Sequence, residues 1–187
     1  MGIPVLIMGE SGSGKSTSMR NFAPEEVSVF NVASKMLPFR KRLPMMMGAD
    51  YNTIMQGIQA SKKKSFVVDD SQYLMCFESF ARAKETGYTK HVDFALNFYN
   101  LVQFVIRGTA PDVIVYFLHH PDRDDSGLLK PKTQGRMLDE KLNVAGLFTT
   151  VLLAETDGKE HWFSTQSDGT DTAKSPEEMC EPKIPND

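Results

Sequence analysis

Eight consecutive residues near the start of the chain have the pattern of a phosphate-binding loop. Residues 9–16 read Gly-Glu-Ser-Gly-Ser-Gly-Lys-Ser and match the Walker A consensus G-x-x-x-x-G-K-[ST] at each fixed position. Glycines allow such a loop to turn its backbone N–H groups towards phosphate oxygens. The lysine reaches the β- and γ-phosphates of a nucleoside triphosphate, and the final hydroxyl binds Mg²⁺. The pattern predicts a site for ATP, or a close relative, with Mg²⁺. The predicted nucleotide-binding residues are Gly9, Glu10, Ser11, Gly12, Ser13, Gly14, Lys15, Ser16 and Thr17.

A second acidic element follows a short apolar run, as in a Walker B strand. Residues 65–70 read Ser-Phe-Val-Val-Asp-Asp. A carboxylate at the carboxyl end of a neighbouring parallel strand would face the same crevice as the loop. Asp69 is therefore expected to hold Mg²⁺ together with Ser16. Asp70 is the candidate for orienting the attacking water, although Asp70 or Ser71 would also suit a helix N-cap.

Two more polar segments offer residues that would complete a catalytic site. His119 follows the apolar run 113–118 and would contact the γ-phosphate or the attacking water, unless it is a surface histidine. Arg136 lies in a basic segment, where it would reach a neighbouring subunit's γ-phosphate as an arginine finger, contact a nucleic-acid backbone, or simply be solvated. The predicted catalytic set is Lys15, Asp70, His119 and Arg136. The same alternatives as for Arg136 apply to Lys35, Arg40, Lys41 and Arg42.

Length and composition fit one domain with a sizeable core. The chain has 187 residues, of which 41% are hydrophobic, and a net charge of -3, which gives no global signature of nucleic-acid binding. Cys76 and Cys180 are the only cysteines and lack metal-ligand spacing, so free thiols in a reducing compartment are expected. No apolar run has the length of a membrane-spanning helix, and the start has no basic leader. We therefore expect a cytosolic protein without membrane partners.

Apolar runs alternate along the chain with segments of helical periodicity. Strands are expected at 4–8, 27–32, 66–68, 113–118, 147–154 and 161–165, and helices at 16–22, 51–60, after Ser71, and at 92–107. This alternation predicts an α/β fold whose mainly parallel sheet carries helices on both faces. Thr156-Asp157-Gly158 predicts a C-terminal antiparallel hairpin. Residues 1–166 would form the core, and residues 167–187 a polar tail that lies on the surface or is partly disordered.

Taken together, these segments resemble small phage-encoded RecA-like P-loop ATPases of the Sak4 type, also described as phage AAA-family nucleotide-binding proteins. The likeness spans most of the chain and rests on the motifs at 9–17, 68–74, 116–120, 132–139 and 165–176. The resemblance implies a RecA-like core and ATP-dependent action on single-stranded DNA in phage recombination, annealing or replication. It would place the protein in the host cytoplasm, and a homo-oligomer with a shared ATP site is compatible with it.

Three functions remain open from the sequence. The first is an Mg²⁺-dependent ATPase that is stimulated by single-stranded DNA. The second is a nucleotide or nucleoside kinase, because kinases share the loop, although the chain has few arginines after the loop to build a lid. The third is a non-catalytic, ATP-dependent interaction module.

Overall fold

A mixed sheet of eight strands forms the centre of the described chain. The computed structural model describes residues 1–87, 89–134 and 143–186. The sheet strands are β1 (Ile3–Met8), β2 (Val27–Asn31), β3 (Met45–Met47), β4 (Ser65–Asp69), β5 (Ile114–His119), β8 (Thr150–Thr156), β9 (His161–Ser164) and β10 (Lys183–Pro185). Two further strands, β6 (Pro121–Arg123) and β7 (Leu129–Pro131), pair with each other as a separate antiparallel hairpin.

The strand order is β10-β9-β8-β1-β5-β4-β2-β3. The six strands from β8 to β3 in this order run parallel, whereas β9 and β10 are antiparallel to their neighbours. Continuous apolar runs such as residues 3–8 suit the parallel strands, because such strands are buried on both faces. The expected α/β class, with a mainly parallel sheet and an added antiparallel hairpin, is confirmed.

Three α-helices occur in the described ranges: α1 (Tyr51–Ala60), α2 (Gln72–Ala81) and α3 (Thr89–Gly108). The helix α1 begins after Asp50, whose carboxylate accepts a hydrogen bond of 2.8 Å from the backbone N–H of Thr53. The periodic apolar residues of α3 form its buried face, as the sequence predicts; they are Phe94, Phe98, Leu101, Val102 and Val105.

The two faces of the sheet are covered differently. Leu6 and Met8 of β1 belong to the core beneath α1, α2 and α3, whereas Val5 and Ile7 point to the opposite face. That opposite face is covered by a six-residue 3₁₀ helix (Ser16–Asn21) and by residues 37–45, but by none of the described α-helices. A helix therefore lies on each face, as expected, although the helix on the opposite face is a short 3₁₀ helix. Pro24 helps to explain the short helix, because the residue before a proline disfavours helical geometry.

Short elements were the ones that sequence periodicity missed. The three-residue strands β3, β6, β7 and β10 are too short to show a repeat, and a second 3₁₀ helix (Val144–Leu147) was also not predicted. Within the segment 167–186, expected as a surface tail, β10 joins the sheet edge and Ala173 is buried. None of the helices in the described ranges is both long and apolar enough to cross a membrane.

Candidate nucleotide site

The glycine loop begins where β1 ends at the carboxyl edge of the parallel strands. Its backbone continues the β1–β5 pairing for one step, since the N–H of Gly9 donates to the carbonyl of His119 at 3.3 Å. Gly12 and Gly14 have φ values of 84° and 96°, in the region that side chains other than glycine rarely adopt. The loop conformation therefore depends on glycine at both positions. Gly14 is a fixed position of the Walker A consensus, whereas Gly12 occupies one of its variable positions.

Lys15 closes the loop on itself. Its Nζ donates to the carbonyl oxygens of Gly9 at 2.5 Å and Glu10 at 2.9 Å. The side chain is buried, and this burial lowers the pKa of Lys15 to about 8, although Asp70 and Asp69 act in the opposite direction. A buried ammonium group held only by two carbonyls is well placed to exchange them for the oxygens of a triphosphate.

Ser16 and Asp69 meet as the two Walker motifs predict. The Oγ of Ser16 donates a 2.9 Å hydrogen bond to Oδ1 of Asp69 at the end of β4. Burial raises the pKa of Asp69, and the neighbouring charge of Asp70 acts in the same direction. A positive ion at this point would relieve both effects. The hydroxyl–carboxylate pair therefore fits Mg²⁺, which prefers oxygen ligands.

Magnesium would have to take most of its ligands from elsewhere. Within the described residues, no group of three or more His, Cys, Asp or Glu side chains is arranged to hold a metal ion. Mg²⁺ usually binds proteins through one or two side chains and completes its shell with water and substrate phosphates. The pair Ser16 and Asp69 matches that mode rather than a closed metal cage.

Asp70 is held by two cationic or potentially cationic side chains. Its Oδ2 lies 2.8 Å from Nζ of Lys35, and its Oδ1 lies 3.4 Å from Nε2 of His120. Burial alone would raise the pKa of Asp70, but the hydrogen bonds from His120 and Lys35 outweigh it and hold the pKa at about 2. The carboxylate is thus ionised at neutral pH. Its backbone has φ of 60°, which is uncommon for a residue other than glycine.

The alternative role of Asp70 or Ser71 as a helix cap does not account for these contacts. Ser71 occupies the N-cap position of α2 but makes no side-chain capping hydrogen bond. Its hydroxyl instead lies 3.0 Å from the carbonyl oxygen of Leu118 and 2.8 Å from Nδ1 of His119. The Asp70 carboxylate is instead engaged by Lys35 and His120.

The turn after β2 brings Lys35 to Asp70. The side chain of Asn31 spans this turn: Oδ1 accepts from the Lys35 N–H at 3.1 Å, and Nδ2 donates to the Lys35 carbonyl at 2.6 Å. Ser34, with φ of 57°, supplies the sharp bend. Sequence reasoning grouped Lys35 with three other basic residues and did not connect it to Asp70. An asparagine at the end of an apolar run is the signal of such a turn.

The two adjacent histidines lie in different surroundings. His119 is completely buried on the helix-covered face, with its ring 5.8 Å from that of Phe98. Its Nε2 donates to the carbonyl of Lys132 at 2.7 Å, so that Nδ1 is the acceptor facing Ser71. Burial lowers the pKa of His119 to about 4, and the ring is neutral. His120, not His119, contacts Asp70. Both ring nitrogens of His119 therefore have partners inside the fold, which leaves neither of them for the predicted contact with a γ-phosphate.

The alternation of side chains along β5 explains why His119 is buried. Val115, Phe117 and His119 alternate along the strand and share its helix-covered face, because successive side chains of a strand point to opposite sides. The same parity would have placed His119 in the core. His120 lies beyond the strand and is free of this constraint.

A segment far away in sequence closes the outer side of the loop. His161 Nδ1 lies 3.0 Å from the Ser13 carbonyl, and a guanidinium nitrogen of Arg20 donates to the carbonyl of Asn186 at 2.8 Å. A Cβ atom placed on Gly14 would come within 3.0 Å of both the Asn186 amide nitrogen and His161 Nδ1. This close approach gives Gly14 a second reason to be glycine. The sequence offered no signal for it, since residues 183–186 were assigned to a tail.

The remaining predicted residues are placed as follows. Glu10 and Ser11 are exposed at the outer turn of the loop, Ser13 is buried, and the Thr17 carbonyl accepts a 3.2 Å hydrogen bond from Arg20. Arg136, the candidate arginine finger, lies outside the described residues.

No protein-family model matches the chain, and no curated protein sequence matches it significantly.

Proposed function

We propose that this protein binds ATP with Mg²⁺ and hydrolyses the γ-phosphate. The observation that carries the proposal is the contact of Ser16 with Asp69 beside the buried ammonium of Lys15. These three groups come from two separate motifs, and each is of the type that a triphosphate–magnesium complex requires at its place. A chance glycine turn with a solvated lysine would not bury the ammonium next to a buried carboxylate.

Each residue has a defined task in this reaction. Lys15 and the loop amides would bind the β- and γ-phosphates and stabilise the charge that develops on them. Ser16 and Asp69 would hold Mg²⁺, which supplies charge neutralisation between the phosphates. Asp70 is ionised and close to Lys35 and His120, so it would orient the attacking water through its carboxylate oxygens. Its low pKa favours a role in orientation over one as a strong base.

The experiment is steady-state ATP hydrolysis of the full chain together with direct measurement of nucleotide affinity. Lys15→Ala removes two charge-assisted interactions with phosphate, and we expect ATP affinity to fall by roughly 100-fold or more. Lys62→Ala is the matched control, because Lys62 is an exposed lysine away from the loop. Unchanged ATP affinity in Lys15→Ala would contradict the loop assignment. Tight ATP binding without turnover in the unaltered protein would instead favour the non-catalytic interaction module.

Action on single-stranded DNA and a shared site in a homo-oligomer are further parts of the proposal, and they rest on the resemblance alone. Stimulation of ATP turnover by single-stranded DNA, weakening as salt rises, is the expected result. A shared site predicts that specific activity increases with protein concentration and that Arg136→Ala abolishes it. Activity that is independent of both DNA and concentration would remove this part while leaving ATP hydrolysis intact.

One observation favours phosphate transfer to a second substrate as the alternative function. A cleft of about 690 Å³ lies beside the carboxyl ends of β2 and β3 and is lined by Ser34, the neighbour of Lys35. Its volume is in the range of small-molecule sites. A kinase would need such an acceptor site close to the γ-phosphate. Transfer of labelled phosphate from ATP to an added nucleoside or nucleotide, in place of release as inorganic phosphate, would identify this reaction.

A further inference from the structure

A cleft of about 690 Å³ is lined by residues of all three described α-helices. It lies between α1, α2 and α3, and its walls include Phe77, Glu78 and Ala81 of α2 and Asn97 and Asn100 of α3. Phe77 is 43% exposed, an unusual degree of exposure for a large aromatic side chain. The walls of the cleft thus combine an exposed aromatic ring and several aliphatic side chains with amide and carboxylate groups.

The charges of the cleft argue against an anionic ligand. No lysine, arginine or histidine is found among its described lining residues, which do include the carboxylates of Asp50 and Glu78. Glu78 is partly neutralised by Arg82 at 3.2 Å and also accepts a 2.8 Å hydrogen bond from the Asn97 amide. A phosphate group would meet no cation among the described lining residues. A neutral molecule with hydrogen-bond donors would be accepted.

Two residues that line the cleft carry polar atoms with no hydrogen-bond partner among the described residues. They are the hydroxyl of Tyr51 and the Oε2 atom of Glu78, and both atoms are buried. Leaving a buried polar group unpaired is energetically unfavourable, so a state in which both are paired is favoured. A ligand that carries a donor for Glu78 and an acceptor for Tyr51 would supply both partners once the two side chains turn towards the cleft. Nucleobases carry donors and acceptors side by side on one edge.

A continuous series of contacts joins this cleft to the nucleotide site. The ring of Phe77 is stacked on that of Tyr73 at a centroid distance of 5.3 Å and an interplanar angle of 22°. Nζ of Lys35 lies 5.1 Å from the centroid of the Tyr73 ring and 2.8 Å from the Asp70 carboxylate. A molecule seated on Phe77 is therefore two side chains away from the group that holds Asp70.

We propose that the cleft binds a nucleobase, presented by a neutral nucleoside, which stacks on Phe77 and bonds to the amides of α3 and to Glu78. Binding to the cleft does not require the phosphate loop. The effect of binding on Asp70, through Tyr73 and Lys35, rests on the proposed ATP hydrolysis. The two parts can therefore succeed or fail separately.

The test is a titration of the full chain with adenosine, guanosine, cytidine and thymidine. Binding is monitored by the chemical-shift changes of the backbone amide NMR signals of α2 and α3. We expect saturable binding of at least one nucleoside with Kd below about 1 mM. Lys15→Ala should bind the nucleoside as the unaltered protein does, even though its affinity for ATP should be much lower. That result would keep the cleft proposal independent of the loop assignment.

Two matched variants locate the site. Ala81→Phe places a bulky ring in the cleft, whereas Ala83→Phe adds the same ring at an exposed position two residues further along the chain. Nucleoside affinity should fall at least about tenfold in Ala81→Phe and stay within about twofold in Ala83→Phe. Equal affinity in both variants, or no saturable binding by any of the four nucleosides, would overturn the proposal. Circular dichroism of both variants verifies that they are folded.

A competition arm distinguishes the source of the base. Short single-stranded oligonucleotides of the preferred base are added to the nucleoside complex at low salt. Displacement of the nucleoside, lost in Ala81→Phe, would support base recognition in the cleft and assign it to DNA. Failure to displace would support a free nucleoside, the outcome that the absence of cations among the described lining residues favours. If nucleoside binding then changes ATP turnover, the contact series from Phe77 to Lys35 is the expected route.

Discussion

The hydroxyl of Ser16 donates to the carboxylate of Asp69 across 2.9 Å, although 53 residues separate them in sequence. Each residue ends its own motif, and the parallel strands β1 and β4 bring both to the same edge of the sheet with β5 between them. Mg²⁺ placed here would be bound by both oxygens. The contact thus joins the two short sequence motifs at 9–16 and 65–70 in the folded chain.

Asp69→Asn should impair metal use more than folding. The amide keeps the size of the side chain and still accepts from Ser16, but it removes the negative charge that Mg²⁺ requires. We expect the Mg²⁺ concentration for half-maximal turnover to rise by at least about 10–100-fold, the range known for changes near metal ligands. Asp112→Asn, at an exposed ion pair with Lys64, is the control and should leave the Mg²⁺ requirement unaltered. An unaltered requirement in Asp69→Asn would refute the metal-binding role.

ATP binding should take up a proton when the pH is near or above 8. The pKa of Lys15 is about 8 before binding, and triphosphate oxygens around the ammonium would raise it. Below pH 8 the group is already charged, so affinity is flat; above pH 8, Kd should rise by about tenfold per pH unit. Calorimetry in buffers of different ionisation enthalpy measures the proton directly at pH 8.5. Lys15→Ala should show no lysine-linked uptake, and uptake of equal size in that variant would assign it to another group.

Lys35→Ala should slow turnover with little effect on stability. The ammonium is 58% exposed, so its ion pair with Asp70 contributes less than about 1 kcal/mol to the free energy of unfolding. Its loss leaves Asp70 held by His120 alone, and we expect kcat to fall by roughly tenfold or more while KM for ATP changes little. Lys62→Ala again serves as the control. Partial rescue by Lys35→Arg would show that a cation at this place is needed.

His119 should make the folded protein sensitive to mild acid. Its folded-state pKa of about 4 lies below the ordinary value of 6.5, so the unfolded chain takes up a proton first as the pH falls. Stability from the neutral ring is complete above pH 6.5 and is lost as the pH falls towards 4. Between pH 6.5 and 5 this loss amounts to about 2 kcal/mol. Urea unfolding at both pH values should show a smaller difference in His119→Gln, and an unchanged difference would contradict the assignment.

Local patterns predicted the loop, the Asp69 strand and all three α-helices of the described chain, because each depends on residues close together in sequence. Positions that depend on distant partners could not be obtained this way. The contact of Asn186 with Gly14 and the burial of His119 under Phe98 join separate parts of the chain. The turn that carries Lys35 to Asp70 was missed because a single asparagine side chain, not a periodic pattern, determines it.

Asp70 carries a backbone conformation that suits glycine better than aspartate. With φ of 60°, the residue costs the folded chain about 1 kcal/mol that glycine would avoid. A library of this protein selected for heat resistance alone should therefore drift towards glycine or asparagine at this position. Selection for turnover should restore the carboxylate. The difference in the free energy of unfolding between the variants from the two selections would measure how much the aspartate destabilises the fold.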